Sequence, residues 1–117
     1  MNTKSASSIK VVTWDAKATV DRADRLKAEL LEAFAAKDHV AVSLSLVVSL
    51  DGAGIQLLLA ARALADREGK QFRLTGTLHP EVARVFLDGG FTRVPCTDAL
   101  ELEKELFRPF ANGGTTE

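Results

Sequence analysis

Few side chains in this 117-residue chain could do chemistry by themselves: two histidines, His39 and His79, one cysteine, Cys96, and no tyrosine. A structural zinc site needs about four converging Cys or His ligands. Three such residues do not make one, so no metal is expected. A nucleophilic cysteine needs an activating base beside it, and none is identifiable near Cys96, which sits between Pro95 and the pair Thr97-Asp98. His79 precedes Pro80 and reads as a cap or turn residue, while His39 follows Lys37-Asp38 with no acid-base partner in view.

The remaining position of chemical interest is Ser49-Leu50-Asp51-Gly52-Ala53-Gly54. Two glycines between an apolar run and a helical pattern permit a tight turn, and the first N–H groups of the helix favour an anion. Asp is also among the best N-caps, so Asp51 reads equally as the cap of its own helix. Nucleotide chemistry has little support here. A Walker loop ends in Gly-Lys-Ser/Thr and a dinucleotide fingerprint carries a third glycine at fixed spacing. Neither is present, and no lysine stands between Lys37 and Lys70.

The elements that position this loop follow from periodicity. Residues 9–14, β-branched and partly alternating, predict a first strand. Ala23, Leu26, Leu30, Ala33 and Phe34 recur at helical spacing, predicting a helix over 20–37 with Thr19 or Asp21 as its cap. Trp14 is expected over a sheet edge or this helix. Residues 40–48 form a nine-residue β-rich run suited to a central strand covered on both faces. A second helix runs from the Asp51 loop to Glu68, where Gly69 ends it. A short strand over 71–74 leaves through a turn at 75–77. A helix then starts at Pro80, with Val82, Val85 and Phe86 inward, and stops at Gly89-Gly90. A last edge strand is expected over 91–94. The final helix, 98–107, is capped by Thr97 or Asp98 with Glu101 in the capping-box position, and its charges from Glu101 to Lys104 read as a solvated face.

Strands alternating with helices imply an α/β fold: a mostly parallel or mixed sheet of about four strands with about four helices. One domain over residues 9–109 is expected between disordered tails, 1–8 and 110–117. Fifteen basic against sixteen acidic residues give a net charge of −1, so no global field holds nucleic acid or anionic lipid. The N-terminus has no apolar signal core, and the lone cysteine rules out an internal disulfide. The longest apolar-rich stretch, 55–65, is interrupted by Gln56 and Arg62 and falls short of the roughly 20 residues that span a bilayer. These features together suggest a cytoplasmic protein without a membrane segment.

The stretch from Val42 to Leu59, an apolar strand, then Asp51-Gly52-Ala53-Gly54 and the aliphatic Ile55-Gln56-Leu57-Leu58-Leu59, resembles the signature of STAS domains. These are the anti-sigma factor antagonists and the domains appended to sulfate transporters. The likeness extends over about 9–107, including the Gly69 helix stop, Phe72-Arg73-Leu74 and the helix from Pro80 to Gly89-Gly90-Phe91. In the antagonists, the residue after the Asp is a serine that a partner kinase phosphorylates to release the complex. A phosphate there adds nearly two negative charges, enough to break a docked interface. The matching position is Gly52, followed by Ala53. Neither has a hydroxyl, so that switch cannot operate there. Of the nearby serines, Ser43 and Ser45 are expected in the buried strand, leaving Ser49 as a poor substitute.

Projected at ~100° per residue, the second helix places Leu57, Leu58, Ala61, Leu64 and Ala65 on a core face. Gln56, Leu59, Arg62, Ala63 and Asp66 fall on the other. An apolar leucine amid polar neighbours, beside the Asp51 loop, resembles a small docking patch. The resemblance implies a non-enzymatic interaction domain of bacterial signalling, without cofactor. It would dock an anti-sigma factor or other histidine-kinase-like regulator through Asp51, Gly52, Ala53, Gly54 and the patch. The alternatives are an accessory subunit on the ATPase of a lipid ABC transporter, and a small-ligand or nucleotide-binding STAS module.

Overall fold

The computed structural model of the chain describes residues 9–107. The expected tails, 1–8 and 110–117, and residues 108–109 of the expected domain lie outside the described residues. Among the described residues, five strands and four helices follow one another: β1 (Lys10–Thr13), β2 (Lys17–Ala18), a 3-10 turn (Val20–Arg22), α1 (Ala23–Ala36), β3 (His39–Ser43), β4 (Ser49–Leu50), α2 (Gly52–Glu68), β5 (Gln71–Thr75), α3 (Pro80–Asp88) and α4 (Ala99–Leu106). The main sheet has the order β1-β3-β5, all parallel, and β2 and β4 form a separate parallel pair. This is the α/β architecture that the strand–helix alternation implies.

β3 is the central strand: Val40 and Val42 are buried on the face where α1 packs over β1 and β3 and α2 over β5, whereas buried Ala41 lies on the opposite face, in register with exposed Val11 and Arg73, so the strand is not covered alike on both faces. α4 flanks β5, and α3 lies against β4. The core runs from Trp14, fully buried, through Phe34, Val42, Leu44, Leu58 and Phe72 to Phe86 and Leu102. Phe34 and Phe72 sit with ring centroids 6.0 Å apart, joining the first helix to the last strand. At the far end of α1, Lys70 Nζ donates to the Phe34 carbonyl at 2.7 Å, placing a cation where helix carbonyls are unpaired.

Four details differ from the sequence reading. The nine-residue strand stops at Ser43: Val47 N–H donates to the Leu44 carbonyl, closing a turn through Ser45 and Leu46. Leu44 and Val47 are buried by that turn, while Ser45, Leu46 and Val48 become exposed. An unbroken apolar run does not reveal such a turn, since both conformations bury about half of it. No strand forms over 91–94, because the N–H groups of Phe91 and Thr92 donate to the Phe86 carbonyl and that of Arg93 to Glu105. Those donors are consumed before any ladder could use them. Neither Thr19 nor Asp21 caps the first helix through its side chain; a 3-10 turn precedes it, and Val20 N–H is taken by the distant Asp51.

The fourth difference is the acidic face of α4. Glu103 and Glu105 side chains are only 11% and 14% exposed, and each accepts from a main-chain N–H: Leu74 to Glu103 at 2.6 Å and Arg93 to Glu105 at 2.8 Å. Glu101 reaches Thr97 N–H at 2.7 Å, one residue upstream of the capping-box target, while Asp98 caps the helix through Glu101 N–H. These carboxylates are therefore structural acceptors rather than solvated charge. Truncating Glu103 leaves a part-buried N–H and the Arg73 guanidinium unpaired, so Glu103→Ala is expected to cost about 2 kcal/mol. Lys104→Ala, on the exposed side, should stay within about 0.5 kcal/mol. Urea unfolding of both variants checks the contrast.

Candidate functional site

The loop between β4 and α2 is built around one carboxylate. Asp51 has extended backbone at the N-cap of α2, and its Oδ1 accepts from Ala53 N–H at 2.9 Å and Gly54 N–H at 3.3 Å. Oδ2 accepts from Val20 N–H at 3.0 Å, 31 residues earlier in the chain. Its own N–H donates to the Ala18 carbonyl at 3.4 Å, continuing the β2–β4 pairing in which Ala18 faces Leu50. One residue thus starts α2 and holds the turn that leads into α1 through its side chain, and extends the small sheet through its main chain.

The two glycines differ. A Cβ on Gly54 would stand 2.3 Å from the Ala18 carbonyl oxygen, so the close approach of α2 to β2 requires that residue. A Cβ on Gly52 would meet nothing within 4 Å, and the position is exposed. Gly52 is therefore compatible with a serine, and its lack of a hydroxyl is not imposed by space.

The anion-favouring end of α2 is already occupied by the Asp51 carboxylate. A phosphate brought there would meet a negative charge on the N–H groups it needs.

The chain's family follows from a match over most of its length. A protein-family model described as "Mlab, STAS domain" matches residues 2–100. The chain belongs to the STAS domain family. Among curated proteins, no sequence matches this chain. STAS domains generally mediate protein–protein interactions.

The structure spreads the residues singled out on this STAS domain over several places. Asp51, Gly52, Ala53 and Gly54 stand together, with Gly54 buried. Asp66 lies 14 residues beyond Gly52 on α2, roughly 20 Å along the helix. Leu59 is half-buried and packs against the core. Arg62 is engaged by its neighbours: Nε reaches Asp66 at 3.1 Å, and the guanidinium lies 4.9 Å from the centroid of the Phe107 ring. Ala63 is exposed, and exposed Gln56 borders a groove of about 390 Å³ between α1 and α2 that also takes in Leu31, Leu57 and Leu64. The core stripe is accordingly Ile55, Leu58, Ala61 and Ala65, with Leu57 and Leu64 at its margin.

Three apolar side chains that the sequence reading passed over border the Asp51 loop. Val20 (70% exposed) donates its N–H to Asp51, and Leu46 (58%) and Val48 (47%) lie in the segment leading to it. For Leu46 and Val48 the signal was masked by the unbroken apolar run over 40–48, which reads as a buried strand, and Val20 stood at the start of an expected helix. Ser45, in that segment, is exposed, and Ser49 is half-buried in β4.

The other chemical candidates hold structural places. His79 caps α3, its Nδ1 accepting from Glu81 N–H at 3.1 Å. Cys96 is buried, and burial first, then Glu101, Glu105 and Asp98, raise its thiol pKa, which opposes formation of a nucleophilic thiolate. Among the described residues, no three His, Cys, Asp or Glu side chains gather to hold a metal ion. Nor is any described helix long and apolar enough to cross a membrane.

Two outcomes follow. Asp51→Ala removes a cap and uncovers Val20 N–H, which should cost about 2 kcal/mol, and Gly54→Ala about 2–3 kcal/mol through its backbone clash; Gly52→Ser should be near neutral, all read by thermal melts. Because the folded Cys96 holds its proton more tightly than an unfolded thiol, its contribution is complete below the ordinary thiol value of 9.0 and declines as pH rises above it. Stability of the native chain should therefore fall more steeply above that pH than stability of Cys96→Val, and no tyrosine titration confuses the comparison.

Proposed function

We propose that this STAS domain is a non-enzymatic cytoplasmic docking module that holds a protein partner at the Asp51 loop and the start of α2. The observation that carries the reading is that three exposed apolar residues adjoin the Asp51-capped start of α2 along the chain or by a backbone bond: Val20, whose N–H donates to Asp51, and Leu46 and Val48, in the segment leading to β4. Exposed apolar side chains rimmed by polar groups favour association with a protein surface. The Asp51 carboxylate on the α2 N–H groups argues against nucleotide or anion binding there, so the small-ligand reading is the weakest of the three.

The partner class proposed first is a histidine-kinase-like anti-sigma factor or related regulator of bacterial signalling. By the resemblance, Gly52 stands where such antagonists carry the phosphorylated serine, with the equally hydroxyl-free Ala53 next to it. Capture by this domain would then not be reversed by phosphorylation at the loop. The same observation favours a second reading, an accessory subunit held permanently on the ATPase of a lipid ABC transporter, because a permanent subunit needs no release switch.

Both readings use one surface and differ in what is bound. Affinity capture from native lysate with the wild-type chain should retain an ATPase, and mass spectrometry should assign it to the kinase-like or the transporter class. Val48→Asp combined with Gly52→Asp should lower capture by about tenfold or more, as truncation at the centre of an interface does, with the circular dichroism spectrum unchanged. Equal capture by the folded double variant would refute the proposed surface.

A further inference from the structure

The two edges of the main sheet are finished differently. At β5 the outward N–H of Leu74 is taken by Glu103 at 2.6 Å, with Arg73 Nε on the same carboxylate at 3.0 Å. At β1 no described strand lies beyond. Trp14 N–H donates to the Ser43 carbonyl at 3.2 Å, so even-numbered positions along this segment turn their backbone groups toward β3. Alternation then turns both backbone groups of Ile9, Val11 and Thr13 outward. Ile9 and Val11 are also 47% and 52% exposed. A row of unpaired donors and acceptors with apolar side chains is a template for another strand.

We propose that a second copy of this chain docks on this edge, the two β1 strands pairing antiparallel about a twofold axis at Val11. In that register Val11 faces its counterpart, and Ile9 of each copy faces Thr13 of the other. Every outward N–H of residues 9, 11 and 13 then meets an outward carbonyl, three from each copy, and two three-stranded sheets become one.

Charge favours the same occupant. Lys10 shares a sheet face with Val12, which is buried under α1, and in this register it stands opposite Val12 of the second copy. Beside Val12 runs a groove of about 540 Å³ between β1 and α1, lined by Glu29 and Glu32 as well as Lys10. Each lysine therefore approaches the acidic pair of the other copy, and the twofold axis repeats the contact.

Analytical ultracentrifugation of the full chain over a wide concentration range tests the proposal, which is independent of the partner surface at Asp51. A reversible dimer is expected. Val11→Pro removes an N–H that makes no bond within the monomer, so it should weaken dimerisation by about tenfold or more while leaving the fold intact by circular dichroism. Lys10→Glu should weaken it as well, and adding Glu29→Lys and Glu32→Lys to the same chain should restore it. A chain that stays monomeric throughout overturns the proposal. So does a dimer indifferent to both Val11→Pro and Lys10→Glu, or one that forms only after residues 1–8 are removed, which would make those residues the occupant of the edge.

Discussion

The Asp51 carboxylate is the point through which the separate parts of this molecule are held in register. Its two oxygens serve the first N–H groups of α2 and the N–H of Val20 at the turn into α1, while its main chain extends the β2–β4 pair. A charged acceptor shared by several backbone donors is stronger than a neutral one and fixes direction as well as distance. The packing of α2 across the sheet depends on that anchor and on Gly54, whose missing side chain lets the helix reach the Ala18 carbonyl.

Carboxylates repeat this role along α4. Glu101, Glu103 and Glu105 of α4 accept from main-chain N–H groups of Thr97, Leu74 and Arg93. The irregular segment between α3 and α4 cannot satisfy its donors by a ladder, and the β5 edge would otherwise present an open row. Helix-borne acids solve both problems at once, which explains why so acidic a helix packs closely against the domain. β1 receives no such cover from a described element, and the asymmetry of the two edges is a property of the fold as a whole.

Around the Asp51 loop of this STAS domain and elsewhere in the fold, the groups that could do chemistry are already committed. The helix end that could attract an anion is filled by the chain's own aspartate, Cys96 is buried and held toward its protonated form, and His79 is a cap. What remains available around the loop is shape and apolar area: Val20, Leu46, Val48 and the open position at Gly52. Such a surface suits association with another protein.

Much of this was legible in the residues themselves. The helical spacing of Leu26, Leu30, Ala33 and Phe34, the glycine stop at Gly69, Pro80 at a helix start and the Asp51-Gly52-Ala53-Gly54 loop are local signals, because capping, backbone freedom and periodicity act over a few residues. The α/β class and the STAS family followed from them. What depended on the tertiary structure was every contact between distant segments. The turn at Ser45-Leu46, which brings Leu46 and Val48 to the surface, closes while Leu44 N–H pairs with Thr75 on β5. The half-buried acids of α4 depend on the N–H groups of Leu74 and Arg93, and the cap on Val20 on an aspartate 31 residues away. A hydrogen-bond donor leaves no mark in sequence on the acceptor that will satisfy it, so these partners are decided only when the chain has folded.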